Sequence, residues 1–295
     1  LPDTLDEIWI NELVSYRNLP AKIEIITDLA SKKNARLRFL LHDFFCICPS
    51  IVLLDSEGCY CSPSVDSVPC AKCIRVKNQS LNNTPFEKTT QNMLEWRLMW
   101  NDFLKQCDVI EAFSNSSKDI LLSVYPSLLN IVVNPHTVEC LRPVSRMVNN
   151  SSHINIGVLG VLQYQKGLNI IRDMVSIIDS RRLPVSVKII GTSNEPISGK
   201  SFSQTGAYLR EDLPRIVEEQ RIDIIFIASI WPETYSFTTD EAILMGLPVA
   251  CFDLGAPPER IRKYSNGLVI SKIDAECALN EILEFLKVKA NEQSN

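Results

Sequence analysis

The chain has 295 residues, enough for two domains of ordinary size, and 45% of them are hydrophobic, enough to give each a core. With 30 basic against 35 acidic side chains the formal charge is −5, which excludes the basic footprint of a nucleic-acid binder. No apolar run approaches the ~20 residues of a transmembrane helix, so any membrane contact is expected to be peripheral. No signal peptide is evident, and the ten cysteines read as thiols or metal ligands of a cytoplasmic protein rather than as a disulfide framework.

In chain order, residues 8–14 form a short apolar run, 21–33 place apolar groups at helical spacing, and 35–42 (ARLRFLLH) read as a strand. This is a doubly wound domain that starts abruptly, as though its first part were incomplete. The strand ends at His42 and Asp43, and pattern alone leaves His42 equally a half-buried strand-end histidine or a ligand contact. Six cysteines follow in a segment spanning 46–78: Cys46, Cys48, Cys59, Cys61, Cys70 and Cys73. The Cys70-x2-Cys73 spacing lets two thiolates meet one tetrahedral ion, and Cys48 and Cys61 could complete a structural zinc site; plain reduced thiols are the alternative. Residues 86–106 predict a long amphipathic helix with Met93, Trp96, Leu98, Trp100 and Leu104 among its large apolar groups, its aromatics reading as core rather than as a ligand platform. Strand, helix and strand are then expected over 108–114, 116–126 and 130–136. From 137 to 153 the chain turns polar and aperiodic, the expected hinge between domains 1–145 and 146–295.

The second domain opens with a strand at 154–160 and a loop, GVLQYQKG, before a helix from Leu168. Lys166 can set a cation on a diphosphate there, and Gly160 and Gly167 allow close backbone approach. A merely solvated lysine at a helix start would oppose the helix dipole. Residues 185–191 form the next strand. ISGKS is no phosphate-binding P-loop, because Asn194 stands where the first glycine is required. A turn at Gly206 and Tyr208 leads to a helix around Asp212 and Pro214.

Residues 222–229 are a β-branched run fit for a buried strand. Trp231 and Pro232 stop it, Glu233 follows, and Glu241 lies in the first turn of a short helix ending at Gly246, before the strand VACF. Both acids then sit at the carboxyl end of a βαβ unit, where open α/β sheets bind ligands. The helix N–H groups near Phe237, Thr238 and Thr239 attract phosphate. Spacing alone is equally met by a solvated loop acid and a first-turn charge against the dipole. A Gly/Pro-rich loop at 253–259, a strand at 266–271 and a helix at 274–289 close the chain.

Glu233-x7-Glu241 followed by Ala-x3-Gly-Leu-Pro-Val, with WPETYS and DLGAPPER around it, resembles the signature of the retaining GT-B glycosyltransferases of family 4, or group 1. His42-Asp43, Cys48-Pro49, Tyr60-Cys61 and Cys70 to Cys73 are similar to a subset with a cysteine-rich segment in the N-terminal domain. The resemblance implies an α/β protein of GT-B architecture, with two Rossmann-like domains facing a cleft, 1–145 on the acceptor side and 146–295 holding the donor. It implies transfer of a sugar from a UDP- or GDP-linked nucleotide sugar to a glycan or lipid-linked acceptor, in surface polysaccharide or glycan synthesis at the inner face of the membrane. Glu233, His42 and Lys166 would be catalytic, with Glu233 on the sugar's hydroxyls and Lys166 on the diphosphate. Glu241 would hold the ribose, with Gly160, Gly167, Phe237, Thr238 and Thr239 near the phosphates, Gly206 and Tyr208 near the base, and Asp43 near the sugar. No cofactor is implied for catalysis. The match selects Cys48, Cys61, Cys70 and Cys73 as the zinc ligands over Cys46 and Cys59. An arginine common in the loop after the first strand is replaced by Val161 or Leu162. That departure motivates a rival reading, a non-catalytic nucleotide-sugar-binding or scaffolding module of a larger transferase.

Overall fold

The computed structural model describes residues 4–14, 16, 18–73, 92–144 and 153–294. It divides into two compact units, Leu1–His136 with Trp231–Tyr235, and Thr137–Ile230 with Ser236–Asn295. The division falls earlier than the expected 145/146 boundary. Thr137 to Val144, read as a hinge, belong to the second unit because Leu141 is buried in its core, Val144 N–H donates to the Met245 carbonyl at 3.0 Å, and Arg142 forks onto Glu218 at 2.8 and 2.7 Å.

The first unit carries a parallel sheet in the order β1 (Glu7–Ile10), β2 (Arg36–Leu41), β3 (Val109–Ala112), β4 (Ile131–Val133). Helix α1 (Leu19–Lys33) crosses from β1 to β2, started by Pro20 in its first turn and stopped by Asn34 in the left-handed region, whose N–H returns to the Ala30 and Ser31 carbonyls. Helix α2 (Met93–Gln106) begins where the Asn92 side chain accepts from the N–H groups of Leu94 and Glu95, and α3 (Asn115–Val124) follows β3. The part of the expected 86–106 helix before residue 92 lies outside the described residues. Met93, Trp96, Trp100, Phe103 and Leu104 face the core, where Trp100 meets Phe39 edge-on at 5.7 Å. Leu98 is exposed and Arg97 is buried. The 3.6-residue repeat explains it: 97 flanks the 93–96–100–104 stripe, and 98 falls on the opposite side.

The second unit is a six-stranded parallel sheet built from β5 (Ile154–Leu162), β6 (Val185–Ser193), β7 (Phe202–Gln204), β8 (Ile224–Ile227), β9 (Val249–Phe252) and β10 (Gly267–Ile270). Its spatial order is β10-β9-β8-β5-β6-β7. Helices α4 (Leu168–Arg181) and α8 (Ala275–Ser294) cover one face; α5 (Leu213–Glu219), α6 (Phe237–Leu244) and α7 (Pro257–Ile261) cover the other. Strand alternation decides the faces: Ile224 and Phe226 enter the α4/α8 core, Ile225 and Ile227 the other. Each such fully buried side chain contributes about 1.5–3 kcal/mol, and burial on both sides is why β8 reads as an unbroken apolar run. The 253–259 stretch, expected as loop, is partly α7, which its two prolines begin. Among the described residues no helix is long and apolar enough to cross a membrane.

Candidate functional site

In the second sheet β5 pairs with β6 on one side and β8 on the other, so the direction of winding reverses between β5 and β8. That reversal opens a crevice at the carboxyl ends of the two strands, the place where such sheets take ligands. The loops after β5 and β8 meet there, the Ile230 N–H donating to the Gln165 carbonyl at 3.0 Å. Gly160 has φ +88°, and a Cβ added to it would stand 3.9 Å from Thr238 Cγ2, so the end of β5 lies against the first turn of α6. Lys166 ends a 3-10 turn, Tyr164–Lys166, just before α4. Gly167 has φ +91°, and a Cβ there would lie 2.1 Å from the Ala228 carbonyl oxygen. Its lack of a side chain is required by the chain's own packing. The Ser236 hydroxyl engages Thr239 Oγ1 at 2.9 Å and makes no side-chain cap to the helix N–H groups of the Phe237, Thr238 and Thr239 turn. Val161 is exposed and Leu162 buried, so of the two residues standing in place of the family's arginine Val161 is the one facing solvent.

Glu241 lies one place beyond the first turn of α6, whose acid is Asp240, because the helix begins at Phe237 after extended Ser236. Only 7% of Glu241 is exposed, and its Oε1 accepts from Arg210 Nε at 2.8 Å. Burial raises its pKa above the ordinary carboxylate value against the opposing pull of Arg210. Burial and the Glu241 charge push the Tyr208 hydroxyl up to about 12, so Tyr208 shares this neighbourhood. Asp240 is engaged elsewhere, by Arg260 at 2.8 Å. Gly206 has φ +90° with nothing within 4 Å of an added Cβ.

In the first unit three consecutive strand ends contribute rings that stack. His42 follows β2, Phe113 follows β3 and His136 follows β4; ring centroids stand 4.6 Å apart for His42–Phe113, 4.0 Å for Phe113–His136 and 5.5 Å for the two histidines. Burial, then the neighbouring His136, lower the pKa of His42. Residues 231–235 belong to this unit through specific bonds: Thr234 Oγ1 donates to the His42 carbonyl at 2.7 Å, Ser117 Oγ to the Thr234 carbonyl at 3.2 Å, and Tyr235 Oη to the His136 carbonyl at 2.8 Å. Trp231 joins the first core. Glu233, in the middle of this loop, is 3% exposed. Asp43 uses one carboxylate oxygen to accept from the Phe45 N–H at 2.8 Å, and burial raises its pKa.

The cysteine quartet shares a neighbourhood. Burial, then the charges of Cys48, Cys70 and Cys73, push the Cys61 thiol up to about 12. Buried Arg97 donates to Cys70 Sγ at 3.5 Å and to the Ser64 carbonyl at 2.6 Å. The guanidinium thus supplies positive charge where a cation is wanted, and among the described residues no group of three or more His, Cys, Asp or Glu stands in a metal-holding arrangement.

Sequence reading missed Arg210, His136, Phe113 and Tyr235. Arg210 follows Tyr208 by two residues, and His136 closes the strand-end NPH, but each takes its meaning from partners distant in sequence.

Two parallel Rossmann-like units with polar groups gathered at a switch point define the class of α/β protein. Residues 153–287, within the second half of the chain, match the family model described as Glycosyl transferases group 1. The chain is similar in structure to HepE from Anabaena in complex with UDP, with a TM-score of 0.60 at 14% identity over 98% of this chain and 70% of that one. It is also similar to sucrose-phosphate synthase from Thermosynechococcus elongatus, at 0.57 and 14% over 91% and 68%. The pneumococcal O-GlcNAc transferase GtfA in complex with UDP and GlcNAc gives 0.57 and 13% over 91% and 48%. The fold is that of the GT-B glycosyltransferases. No curated protein matches the chain by sequence comparison.

Proposed function

We propose that this chain is a glycosyltransferase that moves a sugar from a nucleotide sugar to an acceptor hydroxyl with retained configuration, as in the family 4 enzymes its motifs resemble. The observation that carries the reading is the switch point of the second sheet, where Gly160 lies against the first turn of α6 and buried Glu241 follows on that helix, in a segment matching the group 1 model. Breaking the sugar–phosphate bond leaves negative charge on a diphosphate. Lys166 and the N–H groups of the Phe237, Thr238 and Thr239 turn would stabilise that charge, which is electrostatic catalysis. Glu241 would accept from ribose hydroxyls, Gly206 and Tyr208 would flank the base, and Glu233 would accept from the sugar's hydroxyls. Burial, then His136, lower the pKa of His42, which favours the neutral imidazole, and that form would offer the sugar both a donor and an acceptor nitrogen. The UDP bound to HepE and GtfA makes a UDP-linked donor the first to try and a GDP-linked donor the second. A glycan or lipid-linked acceptor, surface polysaccharide synthesis and a place at the inner membrane face complete the proposal.

A thermal-shift panel of UDP, GDP and ADP tests it, since a ligand at 100 times its Kd stabilises a fold by about 2.7 kcal/mol. One nucleotide is expected to raise Tm, with the shift lost in Glu241→Ala. Binding without transfer would turn the reading into a nucleotide-sugar-binding module; no shift with any nucleotide would overturn the donor site.

A structural zinc ion held by Cys48, Cys61, Cys70 and Cys73 is a separate proposal, supported by their shared neighbourhood, in which negative charge on Cys48, Cys70 and Cys73 opposes ionisation of Cys61 and a divalent cation would favour it. It requires Arg97 to yield Cys70. Protein purified without added metal is expected to carry about one zinc per chain, and metal analysis showing none would return the four to plain thiols.

A further inference from the structure

We infer that Arg210 is a positioning residue of the nucleotide site: it orients the Glu241 carboxylate toward ribose hydroxyls and ties it to Glu139. The inference rests on the nucleotide-sugar reading above. Arg210 Nε donates to Glu241 Oε1 at 2.8 Å, Nη2 donates to the Glu139 carbonyl at 2.7 Å, and Nη1 stands 3.9 Å from the Glu139 carboxylate. One planar fork therefore spans two segments far apart in sequence.

Each of its anchors is fixed. Arg210 opens the 3-10 turn Arg210–Asp212, which runs into α5 and its fully buried Leu213. Glu241 is on α6, whose Ala242 and C-cap Met245 are fully buried. Glu139 belongs to the segment held by Leu141, by Val144 on Met245 and by the Arg142–Glu218 fork. With Oε1 taken by Arg210, Oε2 is the oxygen left to meet a ribose diol, and the carboxylate is held in one rotamer before the ligand arrives. Such preorganisation removes an ordering cost from binding.

The charges agree with the geometry. The groups facing Glu241 are Arg210, Asp240 on its own helix, itself paired with Arg260 of α7, and Tyr208; Glu139 faces Arg210. Arg210 is thus the cation bonded directly to a buried carboxylate, and it keeps that carboxylate ionised and accepting. A lysine could keep the charge but not the fork.

The test is calorimetric titration of the full chain with UDP and with 2′-deoxy-UDP across roughly pH 5 to 8, for the wild type, Arg210→Met and Arg210→Lys. Wild type is expected to prefer UDP by about tenfold, one ribose hydrogen bond to a charged acceptor. Arg210→Met should lose that preference, and its affinity should fall off at a higher pH on the acid side because Glu241 takes up its proton more readily. Arg210→Lys should restore the acid side while recovering only part of the preference for ribose. A purely structural arginine would change Tm and leave both the preference and the pH profile where they were, which would overturn the inference. Should Arg210→Met fail to fold, Arg210→Lys still tests the preference for ribose, and an unchanged preference in it would overturn the inference. If the wild type binds no nucleoside diphosphate, the nucleotide reading itself falls and takes this inference with it.

Discussion

The two sheets end in opposite chemistry. The carboxyl edge of the first closes with stacked rings, His42, Phe113 and His136, packed closely enough that one imidazole depresses the protonation of the other. That of the second closes with glycines, Lys166, a helix turn that Ser236 does not cap with its side chain, and the Arg210–Glu241 pair. Parallel strands alone do not decide what an edge can bind; the residues just past each strand end do. Under the proposed function the first edge would meet the sugar and the second the diphosphate and ribose.

The sharpest way to break this contrast is Glu233, the buried acid in the loop that joins the ring-lined edge. Glu233→Gln keeps the shape and removes the charge, and kcat in a transfer assay is expected to drop about a thousandfold, about 4 kcal/mol of transition-state stabilisation. Full activity in that variant would contradict its assigned role. Next is Gly167→Val, which sets a Cβ against the Ala228 carbonyl at positive φ. Denaturant unfolding of the variant is expected to show about 3 kcal/mol of lost stability or more, with Gly206→Ala costing about 1 kcal/mol because only its conformation, not its space, is restricted. The smallest effect concerns protonation. The folded pKa of His42 lies below its unfolded value, so its contribution to stability is complete above the ordinary histidine value and is lost as pH falls through the folded pKa. In an NMR titration His42 should titrate below an ordinary histidine, and His136→Asn should bring it partly back up.

Much of the fold was legible because buried parallel strands announce themselves as β-branched runs; every strand but β7, three residues on a sheet edge, was anticipated. The acid pair was legible as a motif, and its two members turn out to occupy different compact units. Nothing local could show that, since Thr234 finds the His42 carbonyl across 192 residues of sequence. Arg97 was passed over for the same reason: a charged residue beside a helix's apolar stripe reads as solvated until its carbonyl and thiol partners, 27 to 50 residues away, are known.

The loop Trp231–Tyr235 also bears on synthesis at the ribosome, because it completes the first unit from late in the sequence. A chain made from its N-terminus exposes β1 to β4 early, yet the residues that fill their carboxyl edge, Trp231 against the core, Thr234 on His42 and Tyr235 on His136, emerge only after β5 to β8. Domains commonly fold as they leave the ribosome, the first one first. Here the last five residues of the first unit are made only after most of the second, so the first unit is complete only then, and cutting the chain after His136 would yield a first half that never receives them.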